Sequence, residues 1–440
     1  MEDRNLKYAN VLSRMIQKET VSERDQKDLT KFYEFHDLLR ELFPNIFGTA
    51  EFECFDGSIL LKWKGQNPEA LPVLFMNHHD VVEAQGQWKH EPFSGEIAEG
   101  KVWGRGCIDT KGGLWGMLTA ADELAAEGFV PACDIYFESG CNEETTGFGA
   151  KKISEALLER GVKFSMVLDE GGMIMFEPIG GAKATYAMVG MGERGAASLK
   201  FVAKGKGGHA SAPEADTPLV RLGRFMAEAD KMSVFDVQLT PVIKEMLRRL
   251  APSIGGALKS VYANPDLFEP ILKKVMTSSA GTSRALIQTT IAFTMAEGSD
   301  GYNVIPAEAS VVGNMRVSNH QGYESSLKAI SELAAKFDIE TLVLEDAIDS
   351  PLADYESEGF KLIEGAIDNA FDDVKVAPYI MTGASDARWM AKLCDNCFHF
   401  VPFIISKEQM EAIHGINESV DVETLAPAVD FYKYLYKNVK

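Results

Sequence analysis

The chain has 440 residues, of which 46% are hydrophobic and 10% aromatic, and its formal net charge is −21. This length predicts two domains, and the composition excludes a disordered protein. The acidic charge disfavours binding to nucleic acid or to an anionic membrane, and no run approaches the roughly 20 apolar residues of a membrane span. Residues 1–7 lack the apolar core of a signal peptide, so we expect a soluble, cytoplasmic protein.

Alternating strand and helix patterns occupy the first 170 residues. Residues 1–45 have helical spacing, and residues 51–63 predict one or two strands around the Asp56-Gly57 turn. The predicted elements that follow are a strand at 71–79, a helix at 111–128, a strand at 132–137, a helix at 149–160 and a strand at 164–168. This alternation is typical of a parallel α/β sheet.

The pattern changes after Gly190. Strands are predicted at 197–204, 286–296, 307–317 and 339–345, with helices at 217–231 and 324–337. The first pattern then resumes, with a helix at 356–371, a strand at 397–403 and a closing helix at 422–438. We therefore expect an α/β protein with a mixed, largely parallel sheet flanked by helices, in a catalytic domain of residues 1–192 and 349–440. A smaller α+β sandwich, residues 193–348, is expected as an inserted lid and dimerisation domain.

Acidic and histidine residues follow the predicted strands of the first domain. Ligand sites in open α/β sheets lie at the carboxyl ends of strands. Side chains two apart on a strand share a face, so His78 and Asp80 should point one way and His79 the other. The candidate ligands as a set are His78, Asp80, Asp109, Glu143, Glu144, Glu170 and His414. Histidines and carboxylates without a thiolate suit zinc, manganese or cobalt, and one bridging carboxylate would make a two-metal hydrolytic site.

Each of these residues also has a simpler interpretation. Asp109 beside Thr110 is a possible helix cap, and Glu143-Glu144 a possible solvated acidic loop. The run Gly205–Gly208 lacks the spacing of a phosphate-binding loop, and the absence of Gly-x-Ser-x-Gly disfavours a serine hydrolase. The six cysteines predict no disulfide framework, and the isolated Cys394/Cys397 pair favours ordinary thiols. A non-catalytic relative that keeps the fold is a further alternative.

Several motifs, in order along almost the whole chain, resemble the M20 family of metallopeptidases and amidohydrolases. The resemblance is greatest to its carboxypeptidase S and N-acyl amino acid hydrolase branch. The motifs are His78-His79-Asp80-Val81-Val82, Trp88 with Pro92-Phe93-Ser94-Gly95, Gly104 to Gly112, Glu143-Glu144, Leu168 to Gly172, Gly208-His209, Asn303-Val304-Ile305-Pro306 and His414-Gly415.

The resemblance implies a role for each metal ligand. His78 and Glu170 would bind one divalent ion, Glu144 and His414 would bind the other, and Asp109 would bridge them. Zinc is expected first, with manganese or cobalt as alternatives. Asp169 precedes Glu170, which leaves open which of the two reaches the metal; motif spacing favours Glu170.

The remaining site residues also follow from the resemblance. Asp80 would orient His78, Glu143 would be the general base, and His209 would polarise the scissile carbonyl, usually across a dimer interface.

Four further positions are expected to meet substrate. Asn303 and Arg316 match lid positions, with Arg316 on the substrate carboxylate, and Gly383 and Ser385 lie in a substrate-backbone loop. The family often has Asp where this chain has Asn314, which weakens the role given to Arg316.

The resulting prediction is a homodimeric, dinuclear metal hydrolase that cleaves an amide or peptide bond in a small substrate. A peptidase of dipeptidase or carboxypeptidase type is favoured. The alternative is an N-acyl amino acid amidohydrolase of aminoacylase or deacetylase type, because these enzymes share one set of ligands and differ in their pocket walls.

Overall fold

A computed structural model of the protein describes residues 2–278 and 282–440. Its strands are β1 (Glu51–Phe55), β2 (Ser58–Trp63), β3 (Val73–Met76), β4 (Ile97–Ala98), β5 (Lys101–Trp103), β6 (Ile135–Ser139), β7 (Met166–Asp169), β8 (Ile174–Phe176), β9 (Thr185–Glu193), β10 (Gly195–Lys204), β11 (Gly208–His209), β12 (Thr290–Glu297), β13 (Val304–Ile305), β14 (Glu308–Val317), β15 (Ile339–Glu345), β16 (Lys375–Met381), β17 (Cys397–His399) and β18 (Ser419–Asp421).

The helices lie mostly between these strands and pack on them. They are α1 (Glu2–Ile16), α2 (Thr30–Leu42), α3 (Pro44–Thr49), α4 (Lys111–Ala126), α5 (Phe148–Glu159), α6 (Pro218–Ala229), α7 (Pro241–Leu250), α8 (Leu258–Ala263), α9 (Glu269–Ser278), α10 (Thr282–Ala285), α11 (Tyr323–Ala335), α12 (Glu358–Ala370), α13 (Lys407–Ala412) and α14 (Leu425–Asn438). Short 3-10 helices occupy Ala251–Ser253, Asp386–Lys392 and Val422–Thr424. Within the described residues, no helix combines the length and apolar character needed to cross a bilayer.

The larger sheet has nine strands within the described ranges, in the order β1-β2-β6-β3-β7-β17-β9-β16, with β8 paired to β9. Strands β6, β3, β7 and β17 run parallel at its centre, and β2 and β9 pair with this group in the antiparallel direction. Every residue of β3 is buried, as expected for a parallel strand covered on both faces. The prediction of a mixed, largely parallel sheet flanked by helices is therefore confirmed.

Alternate side chains of β3 face opposite helical layers. The ring of Phe75 lies 5.0 Å from that of Tyr436 on α14, in the core shared with α1 and α4. Leu74 belongs to the other core, with Ile153 and Leu157 of α5. Because successive side chains of the strand point to opposite faces, both faces of the sheet are apolar, and helices cover both.

A smaller antiparallel sheet, in the order β12-β14-β10-β15, forms the second part of the molecule. Its core contains Phe201 of β10, Phe225 of α6 and residues of α11, with the rings of Phe201 and Phe225 4.7 Å apart. This is the predicted α+β sandwich. The side-chain amide of Asn319 donates to the carbonyls of Glu193 (2.8 Å) and Ser350 (2.7 Å), where the chain enters and leaves this sheet.

Helix α7, which lies in sequence between strands β10 and β12 of the smaller sheet, packs against the larger sheet. Its apolar face, which includes Val242, Met246 and Leu250, belongs to the core that contains Phe75. The division into residues 1–192 with 349–440 and residues 193–348 stays a prediction, and this helix shows that part of the inserted stretch packs on the larger sheet.

The helix predicted over residues 1–45 is interrupted between α1 and α2. There the backbone pairs with the segment after the His78-His79-Asp80 motif: Val81 N–H donates to the Thr20 carbonyl (3.1 Å), and Ser22 N–H donates to the Val81 carbonyl (3.2 Å). Tertiary pairing of these backbone groups replaces helical hydrogen bonds that the local sequence favours.

The strand predicted at 71–79 ends at Met76, so His78 and Asp80 lie just beyond it. Their side chains nevertheless lie on one side. His79 faces away and stacks on Phe35, with ring centroids 5.3 Å apart.

The buried His36 should make stability depend on pH. Its Nε2 lies 2.8 Å from the Gly57 carbonyl oxygen, and burial lowers its pKa from 6.5 to about 4. The unfolded state therefore binds more protons between these values, so this contribution is complete above about pH 6.5 and falls as the pH drops toward 4.

His36→Gln keeps a donor for Gly57, and we expect it to remove up to about 3 kcal/mol of the stability lost between pH 7 and pH 4. Urea unfolding at both pH values, in parallel with the wild type, measures this difference. Equal losses in the two proteins would show that His36 is not responsible.

Candidate metal centre

Six ionisable side chains meet at the carboxyl edge of the central strands. His78 follows β3, Glu143 and Glu144 follow β6, and Glu170 follows β7. Asp109 precedes α4 and His414 follows α13. Within the described residues, two groups have ligand atoms that all lie within 4.8 Å of one another. They are His78 with Asp109 and Glu144, and His78 with Glu143 and Glu170.

Asp109 lies between the two histidines. Its Oδ1 is 3.0 Å from His78 Nε2, and its Oδ2 is 2.9 Å from His414 Nε2. Burial alone would raise the pKa of Asp109, but hydrogen bonds from His414 and His78 hold it below its ordinary value. One carboxylate therefore faces both imidazoles, which is the arrangement that a bridging ligand requires.

Each histidine has a second carboxylate beside it. His78 Nε2 lies 3.4 Å from Glu170 Oε1, and His414 Nε2 lies 3.1 Å from Glu144 Oε2. Hydrogen bonds to Asp109 and Glu144 raise the pKa of His414 to about 10. The site thus divides into two halves that share Asp109.

Asp80 holds the other side of the His78 ring. His78 Nδ1 lies 2.9 Å from the Asp80 main-chain oxygen and 3.4 Å from its Oδ1. The Asp80 carboxylate also accepts hydrogen bonds from Ser22 Oγ (2.6 Å) and from the backbone N–H groups of Glu143 (3.1 Å) and Glu144 (3.2 Å). It therefore fixes both the histidine and the acidic loop.

Glu143 lies farther from the histidines than the other acids. Its Oε2 is 3.9 Å from His78 Nε2, and its Oε1 is 3.8 Å from Arg388 Nη1. Burial raises the pKa of Glu143 and of Glu170 well above the ordinary value, against the attraction of His78.

The donor set fits divalent cations. Four carboxylates and two imidazoles meet in a largely buried space, and Glu144 Oε1 has no hydrogen-bond partner among the described residues. Packing like charges together away from water is costly unless cations neutralise them. Oxygen and imidazole donors suit zinc, manganese or cobalt.

Asp169 points away from this cluster. Its Oδ2 accepts hydrogen bonds from Ser385 Oγ (2.8 Å) and Ala387 N–H (2.9 Å), and its Oδ1 accepts from Glu170 N–H (2.9 Å). The neighbouring Glu170 faces His78 instead. The geometry thus favours Glu170 where the sequence left two alternatives.

Two of the predicted lid residues lie side by side. Strand β11, which carries His209, pairs with β13, and the Asn303 carbonyl accepts a hydrogen bond from Ala210 N–H (2.9 Å). The exposed His209 ring has its Nδ1 2.7 Å from Ser211 Oγ. Among the described residues, no hydrogen bond or ion pair joins His209 to the metal-type cluster.

Arg316 lies on β14 of the smaller sheet. Its Nε donates to Asn314 Oδ1 (3.0 Å), so the asparagine at the position that is often Asp still contacts the arginine. Burial and the nearby Arg388 lower the pKa of Arg316.

The two residues of the predicted substrate loop differ in their exposure to solvent. Gly383 is exposed, and a side chain there would meet open space, whereas Ser385 is buried and donates its hydroxyl to Asp169.

Sequence reasoning missed two residues of this loop that reach the site. Arg388 lies beside Glu143, and Asp386 is buried with neither carboxylate oxygen hydrogen-bonded among the described residues. Burial raises the pKa of Asp386 to about 7. The only sequence feature that could have identified them is an Asp and an Arg two residues apart, shortly after Gly383. Their spacing gives no indication that Arg388 lies beside Glu143.

Comparison with known proteins agrees with this geometry. The model of Peptidase family M20/M25/M40 matches residues 74–438. The chain belongs to this family. It is therefore a hydrolytic enzyme of the peptidase and amidohydrolase type, and the resemblance described from its motifs is confirmed.

The names of two relatives correspond to the two activities that the sequence predicts, N-acyl amino acid hydrolase and carboxypeptidase. An N-fatty-acyl-amino acid synthase/hydrolase of Xenopus tropicalis is 30% identical over 420 residues, covering 94% of this chain and 82% of the relative. A probable carboxypeptidase S-like 2 of Dictyostelium discoideum is 31% identical over 424 residues, covering 93% and 80%.

Solved structures share the fold. An M20 family metallo-carboxypeptidase from Sulfolobus solfataricus has a TM-score of 0.72 at 17% identity and covers 98% of both chains. Human carnosine dipeptidase 1 has a TM-score of 0.63 at 15% identity, covering 99% of this chain and 97% of its own.

Proposed function

We propose that this M20 enzyme binds two divalent metal ions and cleaves an amide or peptide bond in a small substrate, as a dipeptidase or carboxypeptidase. The observation that carries the proposal is the position of Asp109, with one oxygen on His78 and the other on His414. His78 and Glu170 would hold one ion and Glu144 and His414 the other. Zinc is our first choice of metal, and manganese and cobalt suit the same donors.

Two ions held there would activate a water molecule and stabilise the oxyanion that develops at the carbonyl. In our proposal, Glu143 takes a proton from that water and delivers it to the leaving amine. Its buried carboxylate lies 3.9 Å from His78 Nε2, and burial raises its pKa well above the ordinary value, which favours the return of the proton to the leaving group. Asp80 acts as a positioning residue, since it holds both His78 and the loop that carries Glu143.

The substrate would lie between the two sheets. We assign Arg316 to the substrate carboxylate, which its position near Arg388 supports because two neighbouring positive charges attract an anion. Asn303 and the backbone at Gly383 and Ser385 would contact the substrate. His209 would polarise the carbonyl from the partner subunit of a homodimer, a role that its exposed position supports.

A second candidate is hydrolysis of N-acyl amino acids. The name of the relative from Xenopus tropicalis supports it, and such substrates also carry one amide and one carboxylate.

We place the enzyme in the cytoplasm, a proposal supported by its free cysteines, all six of which lie in the described residues.

The test is metal content by mass spectrometry, together with hydrolysis of dipeptides and of N-acyl amino acids. We expect about two metal ions per chain, and activity that is lost with chelation and restored by zinc, manganese or cobalt. No bound metal and no hydrolysis after reconstitution would overturn the proposal. The substrate panel separates the two candidates.

Glu170 and Asp169 offer a matched pair of variants. Glu170→Ala should lower the bound metal from about two ions to about one and abolish most activity, because it removes a proposed ligand. Asp169→Asn should keep both ions but lower the melting temperature, since three donors lose a carboxylate acceptor. Metal loss in Asp169→Asn with full loading of Glu170→Ala would reverse the assignment.

A further inference from the structure

The hydroxyl of Ser22 is buried against the carboxylate of Asp80. Ser22 lies in the segment between α1 and α2, 58 positions before Asp80, and its Oγ donates to Asp80 Oδ2 over 2.6 Å. Both residues are buried. A hydroxyl that donates to a carboxylate over about 2.5–2.7 Å forms a charge-assisted bond, roughly twice as strong as a bond between neutral groups. This contact is therefore stronger than an ordinary hydrogen bond between two segments.

The segment that carries Ser22 also holds the backbone of Asp80. The Val81 N–H donates to the Thr20 carbonyl (3.1 Å), and the Ser22 N–H donates to the Val81 carbonyl (3.2 Å). The Val81 N–H and the Asp80 carbonyl belong to one planar trans peptide, so they point in opposite directions. Pairing of this N–H with Thr20 therefore turns the Asp80 carbonyl toward His78, whose Nδ1 lies 2.9 Å from its oxygen.

Among the described residues, Ser22 is the only hydrogen-bond donor to the Asp80 carboxylate from a segment without a candidate metal ligand. His78 Nδ1 lies 3.4 Å from Oδ1, the Glu143 N–H donates to Oδ1, and the Glu144 N–H donates to Oδ2. These three groups belong to segments that carry candidate ligands, so they would move together with the cluster. Ser22 therefore holds the carboxylate independently of the cluster.

The carboxylate of Asp80 needs such a contact because its terminal torsion is soft. A torsion between an sp³ and an sp² carbon has broad minima, so a carboxylate rotates about it at low cost. The Ser22 hydroxyl holds Oδ2, which leaves Oδ1 directed at His78 Nδ1. Rotation would take this acceptor away from the imidazole. Groups that hold a ligating histidine in place affect metal affinity although they never touch the metal.

We propose that Ser22 is a positioning residue of the metal centre: its hydroxyl fixes the plane of the Asp80 carboxylate and, through it, the ring of His78. The inference rests on the metal binding proposed above. Ser22 lies outside residues 74–438, the part of the chain that the family model matches. It adds a side chain from the N-terminal segment to a centre whose candidate ligands all lie at or after His78 in the sequence.

Thr20 offers a matched control in the same segment. Its Oγ1 donates to the main-chain carbonyl of His79 (2.5 Å) and not to the Asp80 carboxylate, and it is buried as well. Thr20→Val and Ser22→Ala therefore each remove one buried hydroxyl with little change in size. We expect both to lower the melting temperature of the metal-free protein, because each leaves a buried acceptor with one donor fewer.

Calorimetric titration of the metal-free protein with Mn²⁺ measures the two binding steps separately. Ser22→Ala should weaken one step about tenfold and change the other less than about twofold, because the lost contact supports only one of the two histidines. In the Glu170→Ala background, where one proposed ligand of the His78 half is already missing, Ser22→Ala should change the remaining step less than about twofold. Thr20→Val should keep both steps within about twofold of the wild type, and so should Ser22→Thr, which retains a hydroxyl.

The titration needs no hydrolysis, so it tests this inference separately from the reaction. A wild type that binds two ions but cleaves no amide, with the expected loss in Ser22→Ala, would support the inference and overturn the proposed reaction. A wild type that binds neither Mn²⁺ nor Zn²⁺ would overturn both.

Three results would overturn the inference and leave the proposed function in place. The first is a Ser22→Ala variant in which both binding steps are unchanged. The second is equal weakening in Ser22→Ala and Thr20→Val, because the effect would then be a general loosening of the segment. The third is a Ser22→Thr variant that binds metal as weakly as Ser22→Ala, since the hydroxyl would then not be responsible.

Discussion

Glu143→Ala is expected to lower kcat by about 10²–10⁴ while both metal ions stay bound. The reason is the position of the carboxylate. Its nearest imidazole nitrogen, on His78, is 3.9 Å away, whereas Glu170 approaches the same nitrogen to 3.4 Å. Removing Glu143 should therefore take away proton transfer and leave the ligands in place.

Glu144→Ala is the matched control, because the two residues are adjacent and Asp80 holds both of their backbone N–H groups. It should lose metal as well as activity, since Glu144 lies 3.1 Å from His414. Metal content and kcat, measured on the same preparations, distinguish the two roles. Loss of metal in Glu143→Ala would make that residue a ligand and end its assignment as the base.

Arg105→Ala is expected to destabilise the protein by about 3–5 kcal/mol, the cost of leaving a buried charge without its partner. Arg105 Nη1 lies 2.7 Å from Glu418 Oε2, and both side chains are almost completely buried. Glu418 also accepts hydrogen bonds from the backbone N–H groups of Ile108 (2.8 Å) and Asp109 (3.2 Å). Arg105 Nη2 donates to the Gly415 carbonyl, 2.7 Å away.

This pair therefore supports the two loops that carry Asp109 and His414, so the variant should also bind metal more weakly. Urea unfolding of the metal-free protein measures the change in the free energy of unfolding separately from the change in metal binding. Arg160→Ala is the control, because Arg160 pairs with Glu53 at the surface and such pairs contribute about 1 kcal/mol or less. A similar decrease in the free energy of unfolding in both variants would show that burial of the Arg105–Glu418 pair does not increase its contribution to stability.

Local patterns that depend on neighbours in sequence predicted much of the fold. The Asp56-Gly57 turn places β1 and β2 as a hairpin, and the apolar run before His78 forms a strand buried on both faces. Ligands at strand ends could be grouped because parallel strands end at one edge of the sheet. These inferences needed only period, turn chemistry and topology.

Contacts between distant segments could not be predicted in this way. The segment between α1 and α2 gives up helix to pair with Val81, and α7 packs on the larger sheet although strands of the smaller sheet precede and follow it. The approach of Arg388 to Glu143 joins residues 245 positions apart. No local period encodes such pairs, because they depend on how the finished layers pack.

The amide of Asn319 has a mechanical consequence. It donates to the carbonyls of Glu193 and Ser350 at once, so one side chain ties together the two connections to the smaller sheet. The Glu193 carboxylate also accepts a hydrogen bond from the backbone N–H of Ser385, so the same residue ties these connections to the loop that carries Gly383. We therefore expect a shift of the smaller sheet to change the position of the candidate substrate loop.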